Sequence, residues 1–393
     1  MKKFMYLLPV AALAMASCSN SDDPIAEQSS PKLASADQLL IRPAIGGAST
    51  RVATAFDATA LQAAGFSMIM TGSFVNDDGG KPGTTAYDTS GTKTVNYAGG
   101  AWSLSDATAA LWWGDATTKA TFAAYAPAGA TIGSEVEIPT ALATQQDYIV
   151  AYNEGVKADF KSGVPLNFQH VTSQVVIKAK NLATSDVTIK VKGTRMVNLV
   201  SKGTLSLPTV ATNGDFSWDS YTPWALGTST ATYSGSEAAE VTLEESNAQE
   251  IGQPLYLLPQ QLTAATYTST GTEDWATDVT GNAIAFLIQV KDASNSAIYP
   301  AVQTAGTEYA WAYVPVDTNW EPGKKYIYTI NFTKDAYGKV DPNQEDGTDD
   351  PTDDGDPGTD DPEPGEEIAE DNVQLTFTVT VEDWTEMSES KNL

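Results

Sequence analysis

The chain has 393 residues, with 50 Asp/Glu against 22 Lys/Arg and a formal net charge of −28. That acidity argues against nucleic acid as a partner and against electrostatic attachment to anionic lipid. One cysteine, Cys18, leaves no disulfide to hold the fold, while 41% hydrophobic residues can bury large cores and the length exceeds one ordinary core, so two domains are expected.

In chain order, Lys2 and Lys3 precede an apolar run of twelve residues, 4–15, and Met15-Ala16-Ser17 leads into Cys18. Twelve residues fit a signal-peptide core, because a membrane span needs about 20. The cysteine directly after the cleavage point resembles a bacterial lipobox. Residues 1–17 are then removed as a lipoprotein signal, and the Cys18 sulfur carries the lipid that anchors the chain in the outer membrane. Ser21-Asp22-Asp23 reads as a surface-export signal and 18–37 as a Ser/Asp/Pro-rich tether.

From residue 38 the pattern is β. Runs at 120–125, 148–152, 174–180, 186–192, 284–291 and 325–332 are rich in Val, Thr, Tyr and Trp and are bounded by Gly, Asn, Asp and Pro. A short helix is possible at 107–113. The runs 174–180 and 186–192 flank a short Asn/Ser/Asp turn and read as a hairpin. Since a hairpin does not usually straddle a domain boundary, the domains are drawn as 38–163 and 164–393. Residues 341–371 hold fifteen Asp/Glu and no Lys/Arg. So little apolar surface cannot offset ordering entropy, and the segment reads as an acidic disordered linker. No window fits the D-x-[DN]-x-[DN]-G-x5-E calcium loop. Over 373–381 every odd residue is apolar: Val373, Leu375, Phe377, Val379 and Val381. This is the cleanest strand of the chain. It can close its own sheet or reach a neighbouring subunit, since a linker of ~31 residues spans ~30 Å.

Residues for chemistry are scarce. The single histidine, His170, lies in strand residues with no nucleophile-elbow motif nearby, and reads as a packed structural side chain. One His cannot carry a zinc site. No phosphate- or dinucleotide-binding glycine fingerprint appears, and no cofactor is expected. Asp147, Glu154 and Asp274 are carboxylates of the kind a glycosidase pairs, but none stands out. Nine tryptophans, among them Trp112, Trp113, Trp218, Trp224, Trp275, Trp311 and Trp320, admit a sugar-stacking reading beside the plainer one of core filling.

Several segments together resemble the fimbrillin family of type V pilins. They are Trp112 before Phe122-Ala123-Ala124-Tyr125-Ala126-Pro127, Gln146-Asp147-Tyr148 with Ala151, and Leu166-Asn167-Phe168-Gln169-His170 before Ser173-Gln174-Val175. Further along come Tyr256-Leu257-Leu258-Pro259-Gln260, Gly323-Lys324-Lys325-Tyr326-Ile327-Tyr328 and Val381-Glu382-Asp383-Trp384. Thr50-Arg51 follows Leu39-Leu40-Ile41-Arg42-Pro43-Ala44-Ile45 near the mature start. The acidic insertion before the last strand is longer than the family pattern.

The resemblance implies an all-β protein of two transthyretin-like β-sandwich domains in tandem, exported as a lipoprotein. It further implies cleavage after an arginine and polymerisation with other pilin subunits by donor-strand exchange. Arg51 fits as the scissile residue. Arg42 is the alternative, but Pro43 follows it, and bonds before proline resist trypsin-like proteases. The segment 373–381 is then the assembly strand, acting in cis or in trans. The expected role is a non-enzymatic fimbrial subunit or adhesin that leaves the outer membrane for the fimbrium after maturation. The alternative is a surface lipoprotein that binds a host glycan without polymerising.

Overall fold

A computed structural model describes residues 37–45, 57–107, 110–183, 186–211, 216–234, 240–268, 278–301, 303, 308–333, 337–340, 366–368 and 376–384. Cys18, Arg51, Asp274, Trp275, Val373 and Leu375 lie outside these residues. The chain from Ala34 onward forms one compact unit.

The protein is all-β. Its first sheet has seven strands, in the order Ile41–Ile45, Val164–His170, Ile149–Gly155, Ala120–Ala126, Phe66–Thr71, Thr92–Ala98 and Ala101–Leu104. Period-two burial explains the pairing face: Val164, Leu166, Phe168 and His170 alternate inward along one strand. A core of Phe66, Met68, Phe122, Ile149, Leu166 and Phe168 fills the inner side. Among the described residues one α-helix, Ala58–Ala64, interrupts the strands. Asp57 caps its N-terminus, accepting from the Ala60 amide at 2.6 Å, Gly65 ends it at φ +69°, and Leu61 is its buried residue.

Two further sheets pack on each other behind the first. One runs Gln249–Glu250, Ser173–Asn181, Lys324–Phe332, Thr376–Asp383; the other runs Thr230–Ser234, Val187–Val200, Ala283–Asp292, Ala310–Pro315, Lys339–Val340. Val175, Ile177, Ile330 and Phe332 meet Ile189, Val191, Phe286 and Ile288 in the shared core, with the Phe286 and Phe332 rings 5.6 Å apart.

All six runs read as strands are strands. The hairpin is not one. Ser173–Asn181 pairs in parallel with Lys324–Phe332, whereas Val187–Val200 pairs antiparallel with Ala283–Asp292. Asn181 bends the connection by donating from Nδ2 to the Val187 carbonyl at 2.8 Å and accepting from the Ala183 amide at 2.9 Å. The strands therefore face each other across the core. An arch and a hairpin give the same alternation, so the pattern could not separate them.

The hairpin was the reason for dividing the chain at 163/164. Val164–His170 is instead hydrogen-bonded into the first sheet. The sheets also share side chains: Phe122 and Ala124 enter the first core, whereas Tyr125 and Val150 enter the second.

The expected helix at 107–113 is replaced at its end by a strand, Leu111–Trp113, paired with Phe74–Asp77 and buried on both faces. In the acidic segment, residues 366–368 are ordered. Val340 donates to the Glu366 carbonyl at 2.9 Å, Ile368 donates to the Gly338 carbonyl at 2.8 Å, and Lys339 pairs with Glu367 at 2.8 Å. Ile368 is buried in the second core, so one isoleucine is enough to fasten that end of the run.

Candidate functional site

The first strand is held on two sides. Ile41–Ile45 lies parallel to Val164–His170, in register from Ile41↔Val164 to Ile45↔Phe168. Just before it, the Leu39 amide donates to the Leu111 carbonyl at 2.7 Å and the Trp113 amide donates to the Asp37 carbonyl at 2.9 Å. The segment thus leaves the strand 111–113 and joins the strand 164–170, closing the gap between them. Leu39 and Ile41, 7% and 8% exposed, enter the first core. Arg42 sits inside this strand, with Nη1 donating to the Ser162 carbonyl at 3.5 Å. Its side chain and Leu40 cross Gly163, where an added Cβ would come within 3.0 Å of both, and where φ is +105°.

The last strand, Thr376–Asp383, runs antiparallel to Lys324–Phe332 from Asn331↔Thr376 to Lys324↔Asp383. It is paired within its own chain, at the sheet edge among the described residues. Of its alternating apolar set, Phe377 and Val379 pack partly buried on the second core, with Phe377 6.2 Å from the Tyr328 ring. Val381 is 52% exposed, because the core stops short of it. Ion pairs Lys324–Asp383 and Lys325–Glu382 fasten its end, and the bond to Asp383 holds the Lys324 ammonium above its usual pKa.

Trp384 follows and docks on a buried polar group. Its amide donates to the Gly323 carbonyl at 3.0 Å, and its ring stacks on His170 at 4.0 Å and 7°. His170 and Asp147 are buried, with Nδ1 2.7 Å from the Asp147 carboxylate, which also accepts from Thr172 Oγ1 at 2.7 Å. A carboxylate only accepts, so Nδ1 carries the proton and the charge is not left unpaired in the core. The buried Nε2 has no hydrogen-bond partner among the described residues. Ser173 Oγ donates instead to the Glu321 carbonyl at 2.9 Å. Among the described residues no Ser–His relay is assembled, and His170 is the packed residue expected. Glu154 is tied to Lys119 and Tyr152.

Beside Trp384 opens a cleft of about 820 Å³ whose walls include Trp218, Asp219, Tyr221, Glu321 and Trp384. Trp218 is one of the tryptophans open to a sugar-stacking reading, but the cleft leaves no trace in the sequence, because 216–224 and 319–324 are distant in the chain. Trp112, Trp113, Trp224, Trp311 and Trp320 are buried core residues, and Trp218 is 38% exposed. Among the described residues no group of three or more His, Cys, Asp or Glu could hold a metal.

No curated protein matches the chain. Among solved structures it is similar to a fimbrial protein from Bacteroides vulgatus (13% identity, 89% of this chain and 100% of that one, TM-score 0.47). It is also similar to proteins assigned to cell adhesion from Bacteroides ovatus (16%, 88% and 97%, 0.42) and Parabacteroides distasonis (10%, 90% and 99%, 0.42). The family described as fimbrillin-like matches residues 50–384, most of the chain. The chain therefore belongs to the fimbrillin-like family.

Proposed function

We propose that this fimbrillin-like protein is a fimbrial subunit, exported as a lipoprotein on Cys18, cleaved after Arg51 and assembled by strand exchange into its first sheet. The observation that carries this reading is the two-sided seat of the first strand. Cleavage after Arg51 would release residues 37–45 together with the lipid anchor. The amide of Val164 would lose its partner in the Leu40 carbonyl, and the Leu111 carbonyl and Trp113 amide would lose theirs. The places of Leu39 and Ile41 would stand open. An edge with unpaired backbone groups and an apolar trough recruits a strand of alternating side chains. Arg51 suits the protease better than Arg42, which is held within the paired strand.

In this reading the sheets form two transthyretin-like domains that meet near Val171, and the bridge between Lys339 and Glu367 ties down the described end of the acidic segment, of which 341–365 lies outside the described residues. The last strand closes its own domain, and the incoming donor comes from another subunit. Edman sequencing of assembled material should begin at Val52. A blocked N-terminus at acylated Cys18 throughout the polymer would overturn the cleavage step and leave the chain as a membrane-held anchor or adhesin.

A further inference from the structure

The polymerisation reading uses neither the cleft beside Trp384 nor the buried Asp147–His170 pair. We infer that this cleft is a binding site for a neutral oligosaccharide, with Trp218 as its stacking face and Trp384 in its wall. A volume of about 820 Å³ lies within the range of ligand sites, roughly 300–1,000 Å³.

The tryptophans sort by environment. Of the eight described, five are buried, and Trp218 and Trp384 both present surface in this one cleft. Leaving a large ring in water forgoes burial worth ~1.5–3 kcal/mol for a side chain of this class. Nor is the exposure a product of looseness. The Trp218 ring stacks on Tyr221 at 5.8 Å and 26° and meets the Phe216 edge at 5.2 Å. Ser217 caps the turn beneath it, accepting from the Asp219 amide. Opposite, a Cβ at Gly323 would make only ordinary contact with the indole, 3.6 Å from Trp218 Cζ2, but would come 2.9 Å from the His170 carbonyl.

The Trp384 ring stacks on both His170 and Tyr256, and Asp147, itself held by Thr172, fixes the His170 ring. The buried pair thus has a role as a rigid support for this part of the wall. His170 Nε2, buried and unpartnered among the described residues, lies in the same wall.

The polar groups of the cleft select among sugars. Asp219 and Glu321 are exposed carboxylates that accept from sugar hydroxyls, and Gln169 and Asn319 add amides. Among the described residues that line the cleft the one lysine or arginine, Lys324, is paired with Asp383. A rim of net negative charge repels sialylated or sulfated glycans, which leaves neutral ones. The site is complete in a single chain and does not depend on strand exchange.

The test uses the purified full-length chain, titrated with lactose, N-acetyllactosamine, mannotriose and chitotriose. 3′-Sialyllactose serves as the anionic probe and tetralysine as the cationic one, and tryptophan fluorescence and calorimetry are read. At least one neutral saccharide should bind saturably. Trp218→Ala should weaken it tenfold or more with the unfolding midpoint unchanged. Trp218→Phe, which keeps a ring face, should fall between, and it decides the question if the alanine variant unfolds. Asp219→Asn with Glu321→Gln should raise 3′-sialyllactose binding relative to the neutral sugar. No binding of any neutral probe, tighter binding of tetralysine or 3′-sialyllactose to the wild type, or an affinity indifferent to Trp218 would overturn the inference. Arg51→Ala should leave sugar binding intact while blocking assembly, so the two readings fail separately.

Discussion

The first and the last strand both close a sheet from its edge, yet they are fastened differently. The segment 37–45 is parallel to its main neighbour, has backbone bonds to two strands, and drives Leu39 and Ile41 into the first core. The segment 376–384 is antiparallel to one strand and buries Phe377 and Val379 only in part. It ends in two ion pairs and a ring stack. Extraction of the first leaves an apolar trough that must be refilled. Extraction of the last uncovers half-buried side chains and polar backbone. In the proposed reading the first is therefore the strand whose removal makes a receptor, and the last is a closure held mainly at its rim.

The largest expected effect follows from that asymmetry. Burial contributes ~1.5–3 kcal/mol for each of Leu39 and Ile41, so cleaved monomer should be about 3–6 kcal/mol less stable to urea than uncleaved chain. A donor peptide of alternating apolar residues should restore the loss. Equal urea midpoints for cleaved and uncleaved monomer would break the comparison, because the first strand would then contribute no more than the last.

The closure strand should respond more weakly, and at its end more than along its length. Trp384→Ala removes the stack on His170 and the contact with Tyr256. Full Trp truncation in a core costs about 3–5 kcal/mol, and this ring is half-buried, so about 2–3 kcal/mol is expected. Phe377→Ala, at a half-buried edge position, should cost about 1–2 kcal/mol by thermal unfolding on the same reasoning. Should Phe377→Ala prove costlier than Trp384→Ala, the strand is held by its core face and not by its rim.

The two strands also mark what the sequence could tell. The nine-residue alternation at 373–381 is legible because period two is local, and its described part is a strand. Which of its apolar residues are covered is a tertiary matter: Val381 alternates as well as Phe377 does, but no core lies under it. The first strand is not among the runs read from the sequence, and its parallel partner, more than a hundred residues away, leaves no local trace. The arch at Asn181 was misread because facing strands and paired strands share one pattern. His170 was read correctly as packed, since a lone histidine among strand residues has no catalytic company. Its support of Trp384 joins residues 147, 170 and 384, and no window contains all three. The cleft is a similar case, assembled from loops whose individual residues look like ordinary turns.

The smallest effect tests the rim directly. The hydrogen bond and charge of Asp383 raise the Lys324 pKa in the folded protein. A raised folded pKa means that the stabilisation is fully present below the unfolded lysine value of about 10.4 and is lost as pH rises through the folded value. Both side chains are partly solvated, which limits the pair to about 0–1 kcal/mol. Buried tyrosines complicate the same pH range: burial holds the Tyr328 phenol up at about 12, so folding resists its ionisation and alkali favours unfolding for a separate reason. Comparing the wild type with Asp383→Asn removes that background, since the tyrosines are common to both. The stability gap between the two proteins should be a few tenths of a kcal/mol at neutral pH in low salt and should shrink with added salt. It should close as pH rises through the raised folded Lys324 value, once the proton is lost in both states. A gap that persists unchanged in strong alkali would mean that Asp383 holds the strand end by packing or backbone geometry, and the ion pair would drop out of the account of how the last strand is fastened.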